Sequence, residues 1–504
     1  MILPLLLLAL QAQDTTAAPG DTTATLPDAL QYDITILMGD TGTHVLGQVQ
    51  TTWRLRSDHA IHLELDSTLR VVRVLMDGKE NTRLFRTVWA REGTWVLVPH
   101  RKRAGDSLIT MIRYHGEPSE GLIIGPNRFG TRTLFTDNRP GRVRGWLPTS
   151  GQPGDKATAS IHIEVPPGLQ AIANGTLQRV DTLPRGRTMW HYLFREPLAA
   201  SGVVLGTGRF AATRLPDAAC EVRCMPLAVW SYPEDSAFAV DGPFRRAGEI
   251  AGYLSRLIGP YPFQRLTHIE AASAAAAGGG PTAILYDEQG YQDQSLNERL
   301  VAQATARQWF GDAVTPGDSG AFRLFQGLAG YFAALWAADQ SGEGALAAEM
   351  RWRAEQVFAS PTPGDTEGAR EVWTLHSLRG LVGDSVFFAG IREYYRRYRD
   401  STAGSADFAA VMSAAAGRDL DWYFGQAVTQ PGYPMLELRW RYQKGKRLVL
   451  DLSQTQAGDW GIYRLPNLTL LIDGRRFPIE VKGRDTHVVL NGIRTRPASV
   501  QVDP

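Results

Sequence analysis

The stretch Ser295-Leu-Asn-Glu-Arg-Leu-Val-Ala-Gln-Ala-Thr-Ala-Arg-Gln-Trp-Phe-Gly-Asp312 has the residue spacing of an amphipathic helix. Ser295 precedes Glu298 by three positions, which is the pattern of a capping box at a helix N-terminus. We therefore predict one long helix over residues 295–313. Gln303 and Arg307 are four residues apart, so we expect both side chains on one face of this helix.

The sequence on either side of this helix divides the chain into three parts. From about residue 31 to 214, polar and apolar residues alternate in short runs between turn residues, which predicts antiparallel strands. From about 233 to 430 the apolar period is helical, and after Pro431 it alternates again. The predicted fold is multidomain α+β. It has an N-terminal antiparallel β domain over 28–215, a mainly helical domain over 216–432 and a C-terminal β-sandwich over 433–504.

The composition of the 504-residue chain excludes two classes of protein. Its residues are 43% hydrophobic and 21% charged, which is typical of folded globular domains and not of disordered chains. Lysine and arginine number 53 against 52 aspartate and glutamate, so the net charge is +1. A protein that binds nucleic acid through bulk charge has a stronger basic excess, and we expect no nucleic-acid partner.

The N-terminal run Ile2–Leu10 is apolar and nine residues long. As a helix it measures about 14 Å, roughly half the thickness of a bilayer core, and it is too short to be a transmembrane segment. We interpret residues 1–12 as a signal peptide and 13–27 as a flexible leader, which predicts export to the periplasm or the extracellular space. The alternative is an apolar tail on a cytosolic chain. No other run approaches 18 apolar residues, so we predict no transmembrane segment.

The only cysteines are Cys220 and Cys224. Two thiols alone are two ligands short of a structural zinc site. A local disulfide and a pair of free thiols both remain open, and the disulfide requires a turn between the two residues because an extended segment holds them too far apart.

The frame Val301-Ala-x-x-x-Ala-x-Gln-Trp-Phe-Gly311 resembles the active-site helix of the gluzincin zinc aminopeptidases, the membrane alanyl aminopeptidase type. In that family the variable places read His-Glu-x-x-His, in which two histidines bind zinc and the glutamate is the general base. Here these places hold Gln303, Ala304 and Arg307. The family's third zinc ligand is a glutamate 19 positions after the second histidine, and Gln326 stands at that spacing here.

Resemblance to this family covers most of the chain and implies a thermolysin-like peptidase-homology domain over 216–432. The family's exopeptidase strand holds the substrate amine with a glutamate, and Gly279 stands at that place here. The family's transition-state tyrosine, eight positions before His376, falls on Gly368. The other matching segments are Arg144-Gly-Trp-Leu-Pro148, Gln152-Pro-Gly-Asp-Lys-Ala-Thr158, Asn174-Gly-Thr-Leu177, Tyr261-Pro-Phe263 and Leu375-His-Ser-Leu-Arg379.

The residues at these places lack the chemistry that the resemblance implies. Zinc needs three protein donors and an open position for water, whereas the guanidinium of Arg307 stays protonated and cannot bind a metal. Gln303 and Gln326 offer neutral amide oxygens, Ala304 offers no base, and Gly279 has no carboxylate. We therefore expect no bound zinc, no other cofactor and no catalytic residues.

Three functions remain open. The first is an exported pseudopeptidase that binds peptides or a protein partner in a central cleft, where Arg307 would pair with a peptide carboxylate. The second is an active hydrolase with a relocated site, and the third is a structural or assembly module with a closed cleft. We predict that Gln326 faces both Gln303 and Arg307 from the next helix and that Gly279 lies on an edge strand of the cleft. The acid beside Arg307 is expected to be Asp312, Asp287 or Glu288.

Overall fold

The computed structural model describes residues 26–78, 90–137, 139, 141–216, 225–272, 277–359, 368–443 and 446–502. The proposed signal peptide, most of the leader, and both Cys220 and Cys224 lie outside these residues. The described part folds as a β region, a mainly helical region and a second β region, so the predicted multidomain α+β class is confirmed. Within it, no helix combines the length and the hydropathy that crossing a bilayer requires.

The N-terminal region is built from strands whose buried and exposed residues alternate, because only one face of each sheet packs against the core. The strands are β1 Asp28–Met38, β2 Val45–Arg54, β3 Ile61–Glu64, β4 Leu69–Met76, β5 Ala90–Glu92, β6 Trp95–Val98, β7 Ser107–Gly116, β8 Leu122–Pro126, β9 Arg132–Thr136, β10 Lys156–Val165, β11 Gln170–Ala173, β12 Thr176–Thr182, β13 Thr188–Ala199 and β14 Leu205–Gly208. They form a seven-stranded sheet in the order β12-β13-β10-β1-β2-β7-β4, a four-stranded sheet and a three-stranded sheet.

Strand β1 lies at the centre of the seven-stranded sheet. It pairs with β2 in antiparallel register and with β10 in parallel register, in which Ile34 is opposite Ile161. The start of β1 is fixed by the backbone amide of Ala29, which donates to the Asp155 carboxylate at 3.1 Å. The first strand of the chain is therefore the central strand of this sheet and has a partner on each side.

The helical region contains a five-stranded sheet. Its strands are β15 Ala211–Arg214, β16 Leu227–Ser231, β17 Leu266–Ala271, β18 Ala277–Gly280 and β19 Ala283–Asp287, in the order β15-β16-β17-β19-β18. Strand β15 precedes the domain boundary that we predicted at residue 215, so the hydrogen bonds of this sheet cross that boundary.

The helices pack around this sheet. They are α1 Ser236–Asp241, α2 Ala247–Ile258, α3 Glu288–Gln292, α4 Glu298–Ala306, α5 Ser319–Ser341, α6 Glu343–Ala359, α7 Ala369–Val382, α8 Asp384–Tyr398, α9 Ser405–Ala416 and α10 Asp421–Phe424. Two short strands, β20 Thr315–Pro316 and β21 Thr402–Ala403, pair beside them.

Helix α4 is shorter than the predicted helix over 295–313. The N-cap is Asn297, whose side chain accepts a hydrogen bond from the Leu300 amide, so the predicted capping box at Ser295 is wrong. Ser295 lies instead in a turn in which its amide donates to Asp293. The helix ends at Ala306, and Gly311 five residues later has φ +138°, a conformation incompatible with helix.

The C-terminal region packs two three-stranded sheets around a small core of its own. The segment that leads into it is held from both sides: Arg370 of the helical region donates to the Gly432 carbonyl at 2.7 Å, and Tyr463 of the C-terminal region donates to the Pro431 carbonyl at 2.8 Å. The strands are β22 Leu436–Gln443, β23 Arg447–Gln454, β24 Leu465–Ile472, β25 Arg475–Val481, β26 Asp485–Asn491 and β27 Val500–Val502. The sheet orders are β22-β23-β26 and β25-β24-β27.

Candidate functional site

A cleft of about 360 Å³ lies between the N-terminal β region and the helical region. We call it the central cleft. Ala304 and Arg307 line its floor from the end of α4, and Phe325 and Gln326 line it from α5. Strand β18 borders one side, and residues 141–153 of the N-terminal region border the other. The cleft is open to solvent.

Arg307 and Gln326 meet at the floor of this cleft. The guanidinium of Arg307 donates a hydrogen bond to the Gln326 amide oxygen at 3.0 Å. The predicted approach of these two positions from neighbouring helices is thus confirmed. Gln303 lies one turn before Arg307 on α4 and is half-buried. It is not among the described residues that line the central cleft.

Gly368, at the place of the family's transition-state tyrosine, lies beside Gln326. It precedes the first residue of α7 with φ +81°, in the left-handed region that glycine adopts without strain. A Cβ atom at this position would be 3.8 Å from the Cβ of Gln326. Gly368 therefore lies at the edge of the group formed by Arg307 and Gln326.

Gly279 lies on β18, the edge strand of the five-stranded sheet, and lines the central cleft as predicted. Its φ is +104°, and a Cβ atom would lie 2.3 Å from the Ala283 carbonyl oxygen. That separation is far inside van der Waals contact. The backbone at this position has a conformation that accepts glycine and resists any side chain.

Of the three candidate acids, Asp312 is the one that interacts electrostatically with Arg307. Burial raises the pKa of Asp312 to about 7, and the charges of Lys156 and Arg307 oppose this rise. Burial likewise lowers the pKa of Lys156 to about 8. The other two candidates point elsewhere: Asp287 caps α3 by accepting from the Gln289 amide, and Glu288 accepts from the Arg128 amide.

Gln308 and Lys156 are site residues that the sequence analysis missed. The Gln308 amide nitrogen donates to Asp312 at 2.7 Å and to the Gly280 carbonyl at 3.1 Å. Its amide oxygen accepts from the Thr282 amide and the Tyr261 hydroxyl, both at 2.9 Å. Lys156 donates to the carbonyls of Asp312 and Ala313. Lys156 belongs to the segment Gln152–Thr158 that resembles the family, so its importance could have been inferred from the sequence. For Gln308 the sequence offered only its position in the Val301–Gly311 frame.

Comparison with known proteins gives relatives in both sequence and fold. The chain is 22% identical over 404 residues to probable aminopeptidase 1 of Sulfurisphaera tokodaii, covering 72% of this chain and 50% of the relative. It is 23% identical over 478 residues to the leucyl aminopeptidase of Saccharolobus solfataricus, covering 86% and 57%. In sequence, the chain is thus similar to aminopeptidases over most of its length. It spans about half the length of these curated relatives, and no family model matches it.

Solved structures share the fold of this aminopeptidase homologue. Aminopeptidase A of Legionella pneumophila superposes with a TM-score of 0.81 at 15% identity, covering 95% of this chain and 58% of the other. The M1 zinc metallopeptidase of Deinococcus radiodurans superposes with a TM-score of 0.71 at 22% identity, covering 81% and 95%. Likeness at this level of identity establishes the fold.

The family's zinc does not fit the donor set of this homologue. At the cleft floor the Gln326 oxygen already accepts from a guanidinium, whose fixed positive charge repels a metal cation. Zinc takes nitrogen, sulfur or carboxylate donors, whereas Gln303 and Gln326, at two of the ligand places, offer only neutral amide oxygens. In the described residues, no group of three or more His, Cys, Asp or Glu side chains converges on a point where a metal could bind. We derive no chemistry through a metal at this site.

Proposed function

We propose that this protein is a non-catalytic aminopeptidase homologue that binds peptides in its central cleft. The observation that carries the proposal is the Arg307–Gln326 hydrogen bond at the cleft floor. Hydrolysis in this family depends on a zinc-bound water and a carboxylate base. In this chain a cation and two neutral side chains, Ala304 and Gln326, occupy the corresponding positions.

The charge at the cleft floor supports an anionic ligand. Arg307 lines the floor and Lys156 lies behind it against the Asp312 carbonyl, whereas the raised pKa of Asp312 leaves its carboxyl group partly protonated near neutral pH. Arg144 and Glu64, which also line the cleft, offset each other as an ion pair. A peptide whose C-terminal carboxylate reaches Arg307 would form a charge-assisted hydrogen bond in a poorly solvated site.

Structures of a related metallopeptidase also support a peptide ligand. A mutant of the Deinococcus radiodurans enzyme was solved bound to the substrate Tyr-Ser-Ala. A mutant of a two-domain M1 zinc metallopeptidase was solved bound to L-tryptophan. In those proteins the fold accommodates peptides and amino acids, and the open central cleft leaves room for a short peptide here.

We expect the Arg307→Gln variant to lose about 30-fold or more in affinity for a short peptide with a free C-terminal carboxylate. Removing one partner of a desolvated charge pair costs about 2–5 kcal/mol. Isothermal titration calorimetry of an unbiased tripeptide mixture, and then of its best component, measures the change. C-terminal amidation of the same peptide should weaken binding to the wild type and leave the variant unaffected. Arg396→Gln, on an exposed face of α8 remote from the cleft, is the matched control. Equal affinity for the acid and the amide would remove Arg307 as the anchor.

We expect no stoichiometric zinc in the purified protein and no hydrolysis of aminoacyl anilides above buffer. The Arg307→His variant should show the same result, because a single histidine restores neither the second histidine, the third ligand nor the general base. Elemental analysis after dialysis and a rate assay with added zinc measure both. Turnover that co-purifies with the protein and disappears in a cleft variant would favour the alternative of a relocated hydrolase site.

Two further functions compete with peptide binding. A protein partner could insert a chain terminus or loop into the central cleft, and a purely structural module would need no ligand at all. The open volume of the cleft favours a ligand over a closed structural core. If no peptide binds, and the protein instead forms a stable complex with another protein that is lost in Arg307→Gln, the result favours the protein-partner function.

We also propose that the protein is exported, on the basis of the apolar run Ile2–Leu10. Sequencing the N-terminus of the mature protein tests this. Cleavage near Ala12 supports export, and an intact N-terminus on a cytosolic protein contradicts it.

A further inference from the structure

Four side chains form a continuous row across the outer face of the seven-stranded sheet, remote from the central cleft. They are Asp33 on β1, His162 on β10, His191 on β13 and Asp181 on β12. The two histidines are directly opposite each other in the antiparallel β10–β13 pair. Their Nδ1 atoms are 2.7 Å apart, and their ring centroids are 4.7 Å apart.

A carboxylate lies behind each imidazole. The Nε2 atom of His191 is 2.9 Å from the Asp181 carboxylate, and that of His162 is 3.5 Å from the Asp33 carboxylate. An ionised carboxylate only accepts hydrogen bonds, so Nε2 of His191 carries the proton of its ring and its Nδ1 atom holds an unshared electron pair. A neutral His162 either donates its Nδ1 proton to this electron pair or, in the tautomer that Asp33 favours, presents a second electron pair there. The two Nδ1 atoms therefore share a proton in one tautomer and are both free to bind a metal ion in the other.

We propose that His162 and His191 bind a divalent transition-metal ion through their Nδ1 atoms. Imidazole nitrogens are preferred ligands of copper, nickel and zinc, and a carboxylate behind a metal-bound histidine fixes its tautomer and increases its basicity. The row therefore contains both the donors and the groups that orient them. Water completes the coordination, since the side chains of His162 and Asp33 remain 24% and 44% exposed.

The separation of the two nitrogens favours copper or nickel over zinc. At metal–nitrogen distances of about 2.0–2.1 Å, adjacent ligands at a right angle are about 2.9 Å apart, whereas tetrahedral ligands are about 3.3 Å apart. The observed 2.7 Å is closer to the right-angled geometry of Cu²⁺ and Ni²⁺. Cu²⁺ is the tighter of these two ions at nitrogen sites, so it is the probe of choice.

A second histidine pair, His115 on β7 and His44 just before β2, provides a matched control. His44 Nε2 lies 3.2 Å from His115 Nδ1, and in the described part of the chain no carboxylate lies within ion-pair distance of either ring. This pair lacks the arrangement that the proposal invokes, in which a carboxylate orients each ring so that the two Nδ1 atoms converge.

The test is a titration of the full-length protein with Cu²⁺ by isothermal titration calorimetry, with glycine as a competing chelator. We expect one Cu²⁺ per chain in a tight phase, with axial electron paramagnetic resonance parameters typical of nitrogen ligands. His191→Asn and His162→Asn should each weaken that phase by about 30-fold or more. Asp181→Asn should weaken it by about tenfold, because the carboxylates that orient metal-bound histidines typically contribute about 10–100-fold.

The double variant His44→Asn/His115→Asn should leave the tight phase unchanged, and thermal melts identify any variant that has lost its fold. His191→Gln replaces His191→Asn if the latter unfolds. The absence of a one-to-one phase in the wild type would mean that a shared proton alone occupies the gap, and would overturn the proposal. Equal affinity in His191→Asn, or no effect of Asp181→Asn, would overturn it as well. Arg307→Gln should not alter Cu²⁺ binding, which separates this site from the central cleft.

Discussion

Replacing Gly279 with alanine is expected to lower the free energy of unfolding by about 3 kcal/mol. The added Cβ atom would lie 2.3 Å from the Ala283 carbonyl oxygen, and alanine at φ +104° is strained even without that contact. Backbone and neighbouring strand must both shift to accept it. Chemical denaturation monitored by tryptophan fluorescence measures the loss.

Gly278→Ala is the matched control for this change. It lies one residue earlier on the same edge strand, and a Cβ atom there would have no heavy atom within 4 Å. We expect a change within about 0.5 kcal/mol, as at other unhindered surface positions. Similar losses in both variants would mean that the strand tolerates no side chain for a reason other than the Gly279 backbone.

The backbone strain at Gly279 also limits any attempt to restore aminopeptidase activity by mutation. The family's amine-binding glutamate would stand at Gly279, but the present backbone cannot hold a glutamate side chain there. Gly279→Glu is therefore expected to unfold the edge of the sheet before it supplies a carboxylate. A single substitution at this position therefore does not restore the amine-binding carboxylate of the family.

Asp312 is expected to make the protein less stable as the pH rises from about 4 to 7. Burial raises its pKa in the folded state from 3.8 to about 7, so the folded chain retains the proton over this range while the unfolded chain loses it. The stabilisation from the neutral carboxyl group is complete below about pH 4 and is lost as the pH rises through about 7. Each pKa unit corresponds to about 1.4 kcal/mol, and allowing for solvent in the cleft the loss is roughly 3 kcal/mol.

Asp312→Asn should remove this pH dependence, because the amide still accepts from Gln308 but does not titrate. The measurement is the free energy of unfolding at about pH 4.5 and about pH 7.5 for both proteins. Lys156, with its pKa about 8, remains protonated over most of this range. Asp384→Asn is a control of opposite sign, since a hydrogen bond from Arg379 lowers the pKa of Asp384 and its stabilisation is lost towards acid. An unchanged difference between the two pH values in Asp312→Asn would contradict the assignment.

The order of the three regions could be predicted because it depends on residue periodicity over long segments. Helices α7 and α9 lie within the segment 233–430 that the helical period predicted, and Gly383 and Gly417 follow their last residues. The meeting of Arg307 with Gln326 could be predicted as well, because the spacing of a family motif carries three-dimensional information. These inferences required only the chain itself and its resemblance to the family.

What could not be predicted depends on contacts between distant residues. Three acids near Arg307 in sequence were indistinguishable until the fold showed that Asp287 caps a helix and Glu288 accepts from Arg128. The strain at Gly279 arises from the Ala283 carbonyl across the β18–β19 pair, which no local pattern records. The histidine row was equally invisible, because His162 and His191 are 29 positions apart and neighbours only through strand register.

The central place of β1 has a consequence for the synthesis of the chain. The Asp155 carboxylate that accepts from the Ala29 amide is synthesised 126 residues later, and the parallel partner strand β10 begins only after it. At a translation rate of about 5–20 residues per second, β1 remains without that partner for roughly 6–25 s. During this time β1 can pair with β2, and β2 with β7, but the edge of β1 that later pairs with β10 stays exposed. The nascent chain should therefore depend on chaperone protection until residue 165 has emerged, and a ribosome paused before that point should yield aggregation-prone fragments.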